Sequence, residues 1–431
     1  MKATKIFMMA ALALAFAACS NNDDDFAQQP SAQPANGEIT ITASLEANDG
    51  ASNRALSVDG SNIASTWETT DEFAILYNNG TEDTKSIATV DKIDGTTVTI
   101  TFTVSSSLAN NTACTIVYPA SAANAANTGA DVATALATQD GTIGNCPEVR
   151  VGTATIDKDN HNLTSVTKLT AQNAIFKFTL QDLSDGAKSA TEFKVSDGSD
   201  NVITTVTPGS ASGELYVALP VMAAGTYWFK ATIDSKPYIA KATTAAATVA
   251  GKYYLTTVKM ATIGDVILSD GKFAARSSTG TNVAMIAYLG SETGDATYTH
   301  GLALALSDVS ANKLSWDNTN ANNAGKTAAE WCSDWNTTKT ITGGTWMLPS
   351  KDQWNKMINA CKNVLGTKNN YRDLRDGFNG ISGASNLQSA YYWSSTESNS
   401  DKAWDYNFLN GSWSNIDDKN YYCWVRACLA F

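Results

Sequence analysis

The stretch Glu38–Leu45, EITITASL, alternates apolar and polar residues without a break. Ile39, Ile41, Ala43 and Leu45 fall on one side, the period-two pattern of a half-buried strand. Further β-rich runs follow at Phe73–Tyr77, Val98–Val104, Cys114–Tyr118, Ile175–Leu180, Glu214–Leu219, Thr226–Ile233 and Tyr253–Met260. Clusters of Gly, Asn, Asp and Ser separate them. No long helical period occurs between 38 and 262. Paired β-sandwiches are the expected packing, one over 38–165 and one over 166–262.

Upstream of that strand the texture is different. Lys2 and Lys5 precede the apolar run Ile6–Ala18. It is too short for a membrane-spanning helix, which needs roughly 20 apolar residues. Residues 1–18 therefore read as a secretory signal. Ala17 and Ala18 before Cys19 resemble the lipobox of bacterial lipoproteins, with Phe16 where that family prefers Leu. The resemblance implies acylation of Cys19, and so an anchor in the outer membrane. Residues 19–37 are polar and acidic, with Asp23, Asp24 and Asp25 in a row. Such a segment buries too little apolar surface to fold and serves as a tether. Its aspartates resemble the surface-export signal of Gram-negative lipoproteins; solubilising a linker is the other reading.

Composition excludes several functions. The 431 residues carry 30 Lys and Arg against 42 Asp and Glu, a net charge of −12. That charge argues against nucleic acid, whose phosphates require basic patches. With only two histidines, His161 and His300, there is little room for His-based catalysis or a His-rich metal site. Six cysteines follow Cys19: Cys114, Cys146, Cys332, Cys361, Cys423 and Cys428. No C-x-x-C pair exists. Export permits disulfides, and the spacing suggests Cys114 with Cys146 and the last four among themselves.

Arg54 is the only Lys or Arg between Lys5 and Lys85. It ends the turn-rich loop NDGASNR, 48–54, so an arginine-specific protease would free the first strand there. This loop, followed by Ala55, by Trp67 with Asp71-Glu72-Phe73-Ala74-Ile75, and by Gly251-Lys252-Tyr253-Tyr254-Leu255, resembles fimbrillins of the Mfa-like, type V pilin family. The resemblance implies two transthyretin-like β-sandwiches and cleavage between Arg54 and Ala55. It also implies loss of the first strand and its replacement by a strand of the next pilin subunit, a form of β-strand addition.

After Gly264-Asp265, tryptophan becomes frequent and helical patterns appear. Ala328, Ala329, Cys332 and Trp335 fit a short helix near 327–336. Ser350 and Gln353 form a capping box ahead of the stripe Trp354, Met357, Ile358, Cys361, Val364 and Leu365. Trp346-Met347-Leu348-Pro349-Ser350, Tyr392-Trp393-Ser394-Ser395-Thr396-Glu397 and Val425-Arg426-Ala427 resemble the bacterial branch of the C-type-lectin-like fold, which includes formylglycine-generating enzymes and adhesin domains. The overall expectation is a mainly β chain: two transthyretin-like sandwiches, then an α+β C-type-lectin-like domain over 263–431.

The calcium-binding motifs of that fold, E-P-N or Q-P-D with W-N-D, are absent. Asp401, Asp405, Asp417 and Asp418 lack calcium-loop spacing, so neither a metal nor a cofactor is expected. Catalysis is not expected either, because nothing supplies an activated thiol. The aromatic and Asn/Ser-rich stretch 391–424 has the composition of a binding surface. Asn410, Ser412, Trp413, Asn415 and Tyr421 are its expected exposed members. These readings converge on a fimbrial tip adhesin at the cell surface, joined to other pilins and binding a host or bacterial protein or glycan. The alternative is a surface lipoprotein that binds such a partner without polymerising.

Overall fold

The structure is a computed structural model describing residues 37–46, 57–59, 62–64, 67–319 and 321–431. Cys19, Arg54 and Ala55 lie outside the described residues. The described residues are mainly β. Among the described residues no helix is long and apolar enough to cross a membrane.

The strand expected at the N-terminus is β1, Glu38–Glu46. It pairs antiparallel with Thr97–Ser105 over its whole length, Glu38 opposite Ser105 and Glu46 opposite Thr97. From there one sheet runs through Asp83–Asp94, Glu72–Asn78, Thr112–Tyr118, Arg150–Asp157 and Asn162–Thr164, with Thr170–Ala171 also pairing on Arg150–Asp157. Alternate residues of the longer strands point into one core, including Ile41, Leu45, Phe73, Ile75, Ile100, Phe102, Ile116 and Ile156. Trp67, Phe73 and Tyr118 meet there at ring separations of 5.1–5.3 Å. The Tyr118 hydroxyl donates to buried Asp71. The Trp67 to Phe73 motif is therefore a structural clasp.

The second unit is a sandwich. A three-stranded sheet (Glu214–Pro220, Asn173–Asp182, Tyr253–Met260) faces a five-stranded one built on Glu192–Ser196, Val202–Val206, Gly225–Ile233 and Lys236–Thr244. Phe178, Phe193 and Phe229 interlock between them. The fifth strand, Thr138–Gln139, comes from earlier in the chain. Gln139 is buried, and its side-chain amide donates to the Ala218 carbonyl and accepts from the Ala218 N–H, as a neighbouring strand would. Strand pairing thus crosses residue 165 in both directions, and the expected boundary there does not coincide with a break.

The third unit starts with a six-stranded sheet ordered Phe273–Ala274, Val266–Leu268, Asn282–Leu289, Gly301–Ala305, Cys428–Ala430, Thr345–Met347. Helix Lys351–Cys361 packs on it through Trp354, Met357, Ile358 and Cys361, and its predicted capping box is formed by Ser350 and Gln353. The helix expected near 327–336 is two short ones, Ala328–Ser333 and Trp335–Thr338, broken at Asp334. A three-stranded sheet, Tyr391–Glu397, Ala403–Asn407 and Ser412–Ser414, completes the unit.

Candidate functional site

Two places carry the functional expectations: β1 in its groove, and the small sheet near the C-terminus. In β1 the alternation puts Ile41, Ala43 and Leu45 in the core, each nearly or wholly buried. Fully burying an Ile or Leu contributes about 1.5–3 kcal/mol, so these side chains hold the strand firmly. The opposite edge of β1 is also occupied. The Thr42 N–H donates to the His161 carbonyl at 3.1 Å, and the Leu169 N–H donates to the Glu46 carbonyl at 2.8 Å. The His161 ring reaches the Thr40 carbonyl through Nδ1 at 3.0 Å. Lys168 pairs with Glu46 at 2.9 Å on the exposed rim. The sheet therefore curls until its far end meets its first strand, and β1 is the piece that closes it.

His161 does this with φ at +57°, in the left-handed region, at the tight turn before Asn162–Thr164. Three of the four edge contacts use main-chain atoms of β1, so the groove reads strand geometry more than identity. The periodicity revealed the buried side chains of β1. The edge partners sit more than a hundred residues away, and no local pattern pointed to them.

At the other site, the hairpin Ala403–Asn407 to Ser412–Ser414 turns through Gly411 at φ +80°. Asn410, Ser412, Asn415 and Tyr421 are exposed, as expected. Trp413 departs from the expectation. It is half-buried, packs at 5.0 Å on Tyr406 and donates its indole N–H to Asn355. Trp404 and Trp413 both lie under the Lys351 ammonium, at 3.2 and 5.5 Å. Strand 403–407 also departs from one-sided burial, because Asp405, Tyr406 and Asn407 are all buried. It is the central strand, covered on both faces. Leu409, Ile416, Tyr421 and Tyr422 are the large apolar side chains left exposed on the turns around it.

The residues that carry the C-type-lectin-like resemblance hold the fold. Arg426 is fully buried, and its Nε donates to Asp308 at 2.7 Å while Nη1 donates to the Ala305 carbonyl. The Tyr392 hydroxyl donates to the same carboxylate. Burial raises the Asp308 pKa, and the Arg426 charge works against it. The Trp346, Trp354 and Trp393 indoles each donate to a main-chain carbonyl.

The expected disulfides are not formed; all six described cysteines are free and buried. Cys114 and Cys146 face different cores, which keeps them from meeting. Cys361 donates to the Ala287 carbonyl, and Cys428 lies 4.0 Å from the Met357 sulfur. Burial pushes the Cys114 thiol up to about 12 and raises the other five as well. Such thiols are poor nucleophiles at neutral pH. No group of three or more His, Cys, Asp or Glu side chains converges among the described residues.

No protein-family model matches the chain, and no curated protein matches it. Solved structures do. A fimbrial protein from Bacteroides ovatus is similar over 93% of this chain and 100% of its own, at 13% identity and a TM-score of 0.31. A fimbrial assembly protein from Parabacteroides distasonis is similar over 51% of this chain and 90% of its own, at 12% identity and a TM-score of 0.26. A shaft pilin from Lactobacillus rhamnosus is similar over 52% of this chain and 99% of its own, at 10% identity and a TM-score of 0.22.

Proposed function

We propose that this chain is a subunit at the tip of a cell-surface fimbrium. It is exported as a lipoprotein on Cys19, reaches the outer membrane, and is cut between Arg54 and Ala55. Strand β1 then leaves, and a strand of a neighbouring pilin takes its place. The C-terminal unit binds a host or bacterial protein or glycan through the surface around Asn410, Ser412, Asn415 and Tyr421, with Trp413 supporting it from below.

The observation that carries this reading is the seat of β1. It is one continuous strand, apolar on one face, held along both edges chiefly by main-chain hydrogen bonds. Its exit would bare the core side chains around Ile100 and Phe102 and leave the 97–105 edge unpaired. A groove of that kind accepts another strand of the same pattern. The tip position is proposed from the packing of the third unit. Strand Cys428–Ala430 lies inside its sheet between Gly301–Ala305 and Thr345–Met347, and residues 425–431 are all buried. That stretch is committed to its own unit and is not on offer to a neighbour.

The test is assembly in cells expressing Arg54→Ala. The proposal expects the variant to stay membrane-associated and absent from high-mass fibres. Normal incorporation of uncut protein into fibres would overturn the cleavage step, and absence of the unmutated protein from fibres would favour the second reading, a tethered surface lipoprotein whose β1 is permanent.

A further inference from the structure

The register of β1 against Thr97–Ser105 sets four inward pairs: Ile39 with Val104, Ile41 with Phe102, Ala43 with Ile100, and Leu45 with Val98. All of these side chains enter or pack on one core, and Ala43 is the only small one among them. The Ile100 opposite it is wholly buried. Val90, paired with Ile100 on the next strand, lies in the same core. On the seam side Leu163, two residues past the His161 that grips Thr42, also enters that core. At the middle of β1 the neighbours are thus branched and bulky, and the strand itself contributes a single methyl.

A folded interior is packed as densely as an organic crystal, with few voids larger than a water molecule. A longer side chain at position 43 would meet occupied space and force off-rotamer neighbours or a backbone shift. The main chain adds a second constraint. The seam bonds use main-chain groups of Thr40, Thr42 and Glu46. In an antiparallel ladder those of Ile41, Ala43 and Leu45 then face 97–105. From 41 to 43 every N–H is engaged on one side or the other, so proline does not fit there. Thr42, Ser44 and Glu46 point their side chains to solvent and exert no such selection.

We propose that this groove selects its incoming strand by size at a single pocket. The residue that takes the place of Ala43 is alanine or smaller. Those in the places of Ile41 and Leu45 are large and aliphatic, and proline is absent from the places of Ile41, Thr42 and Ala43. The partner is thus an extended segment of another pilin whose inward pattern is large, small, large, and Ile100 is the residue that reads it. This deepens the reading in which β1 is replaced, and rests on it.

The first experiment uses the full, uncut chain, where β1 itself reports on the pocket. Ala43→Leu should lower the Tm of the first unit by about 3–10 °C, and Ala43→Val by less. Ile100→Ala combined with Ala43→Leu should be more stable than either single variant, because a large and a small side chain have changed places across one pair. Should Ala43→Leu alone fail to fold, Ala43→Val and the double variant keep the comparison. An Ala43→Leu chain as stable as its parent, or a double variant no better than Ala43→Leu, overturns the size rule and leaves strand replacement standing. The second experiment places a photo-crosslinking diazirine analogue of leucine at position 100 in cells that assemble fibres, and sequences the captured peptide. The expected capture is a strand of another pilin, small where it meets position 100 and large and aliphatic two residues to either side. A bulky residue at that point overturns the proposal alone. Capture of Ala43 from the chain's own β1 in fibres overturns the replacement itself, and the proposal with it.

Discussion

The main-chain carbonyl of His161 accepts from the Thr42 N–H, and the ring of the same histidine reaches back to the Thr40 carbonyl. One residue thus grips the first strand twice, across the seam where the sheet closes. Because both grips use main-chain atoms of β1, they act on any strand seated there in the same register.

Replacing His161 by glycine keeps the left-handed turn and removes only the ring contact. The loss should be small, about 0.5–1 kcal/mol at an exposed bond. Hydrogen exchange at the Thr42 and Ser44 amides should quicken while the rest of the sheet is unchanged.

Ile41→Ala removes a fully buried side chain and should cost the uncut protein about 2–5 kcal/mol. Subunits recovered from fibres should show no such loss, because in them β1 has gone. Thermal unfolding of both forms checks this, and equal destabilisation would mean that β1 stays.

Arg426→Leu would leave Asp308 buried beside Tyr392 without its cation. Breaking a buried pair from one side costs about 3–5 kcal/mol, and Arg426→Lys should not rescue it, since the three donors of one ammonium cannot reach the carboxylate and three carbonyls that the guanidinium fork serves. Denaturant titration of the full chain, followed by tryptophan fluorescence, reads the effect. Tyr421→Ala and Ile416→Ser, both at exposed positions, should by contrast shift stability by less than about 0.5 kcal/mol while reducing adhesion to the target surface.

The His300 ring lies tilted against Trp228, centroids 3.6 Å apart, where the second unit meets the third. Burial pulls its pKa from 6.5 down to about 4, with Lys230 and Lys241 adding to the fall and Asp200 opposing it. The unfolded chain takes up the proton near 6.5 and the folded chain does not. Stability from this group is therefore complete above that pH and is lost as pH falls from 6.5 to about 4, by roughly 3 kcal/mol at most. His300→Gln should flatten that limb of the pH–stability curve.

With six free thiols, a reductant should leave Tm unchanged, and alkylation should require unfolding. A Tm that falls with reductant would show bridges.

What the sequence made legible follows from locality. The alternation of 38–45 announced its buried face, and the Ser350–Gln353 box announced the start of a helix, because both signals lie within a few residues. The shorter strands Glu192–Ser196 and Val202–Val206 are not legible in the sequence, since their short runs carry little periodicity. Trp413 looked like a surface aromatic because its neighbours in sequence are polar, yet Tyr406 and Asn355 cover it in space. The Asp308–Arg426 meeting is made by tertiary folding, and only the structure reveals it. Cysteine parity misled for the same reason, since an even count says nothing about which core each thiol enters.

The most direct test of the central proposal is the N-terminus of this protein in fibres sheared from the producing cell. The account predicts a chain beginning at Ala55, without β1, in high-mass material. A chain that still begins at acylated Cys19, recovered with membranes and never in fibres, would contradict it.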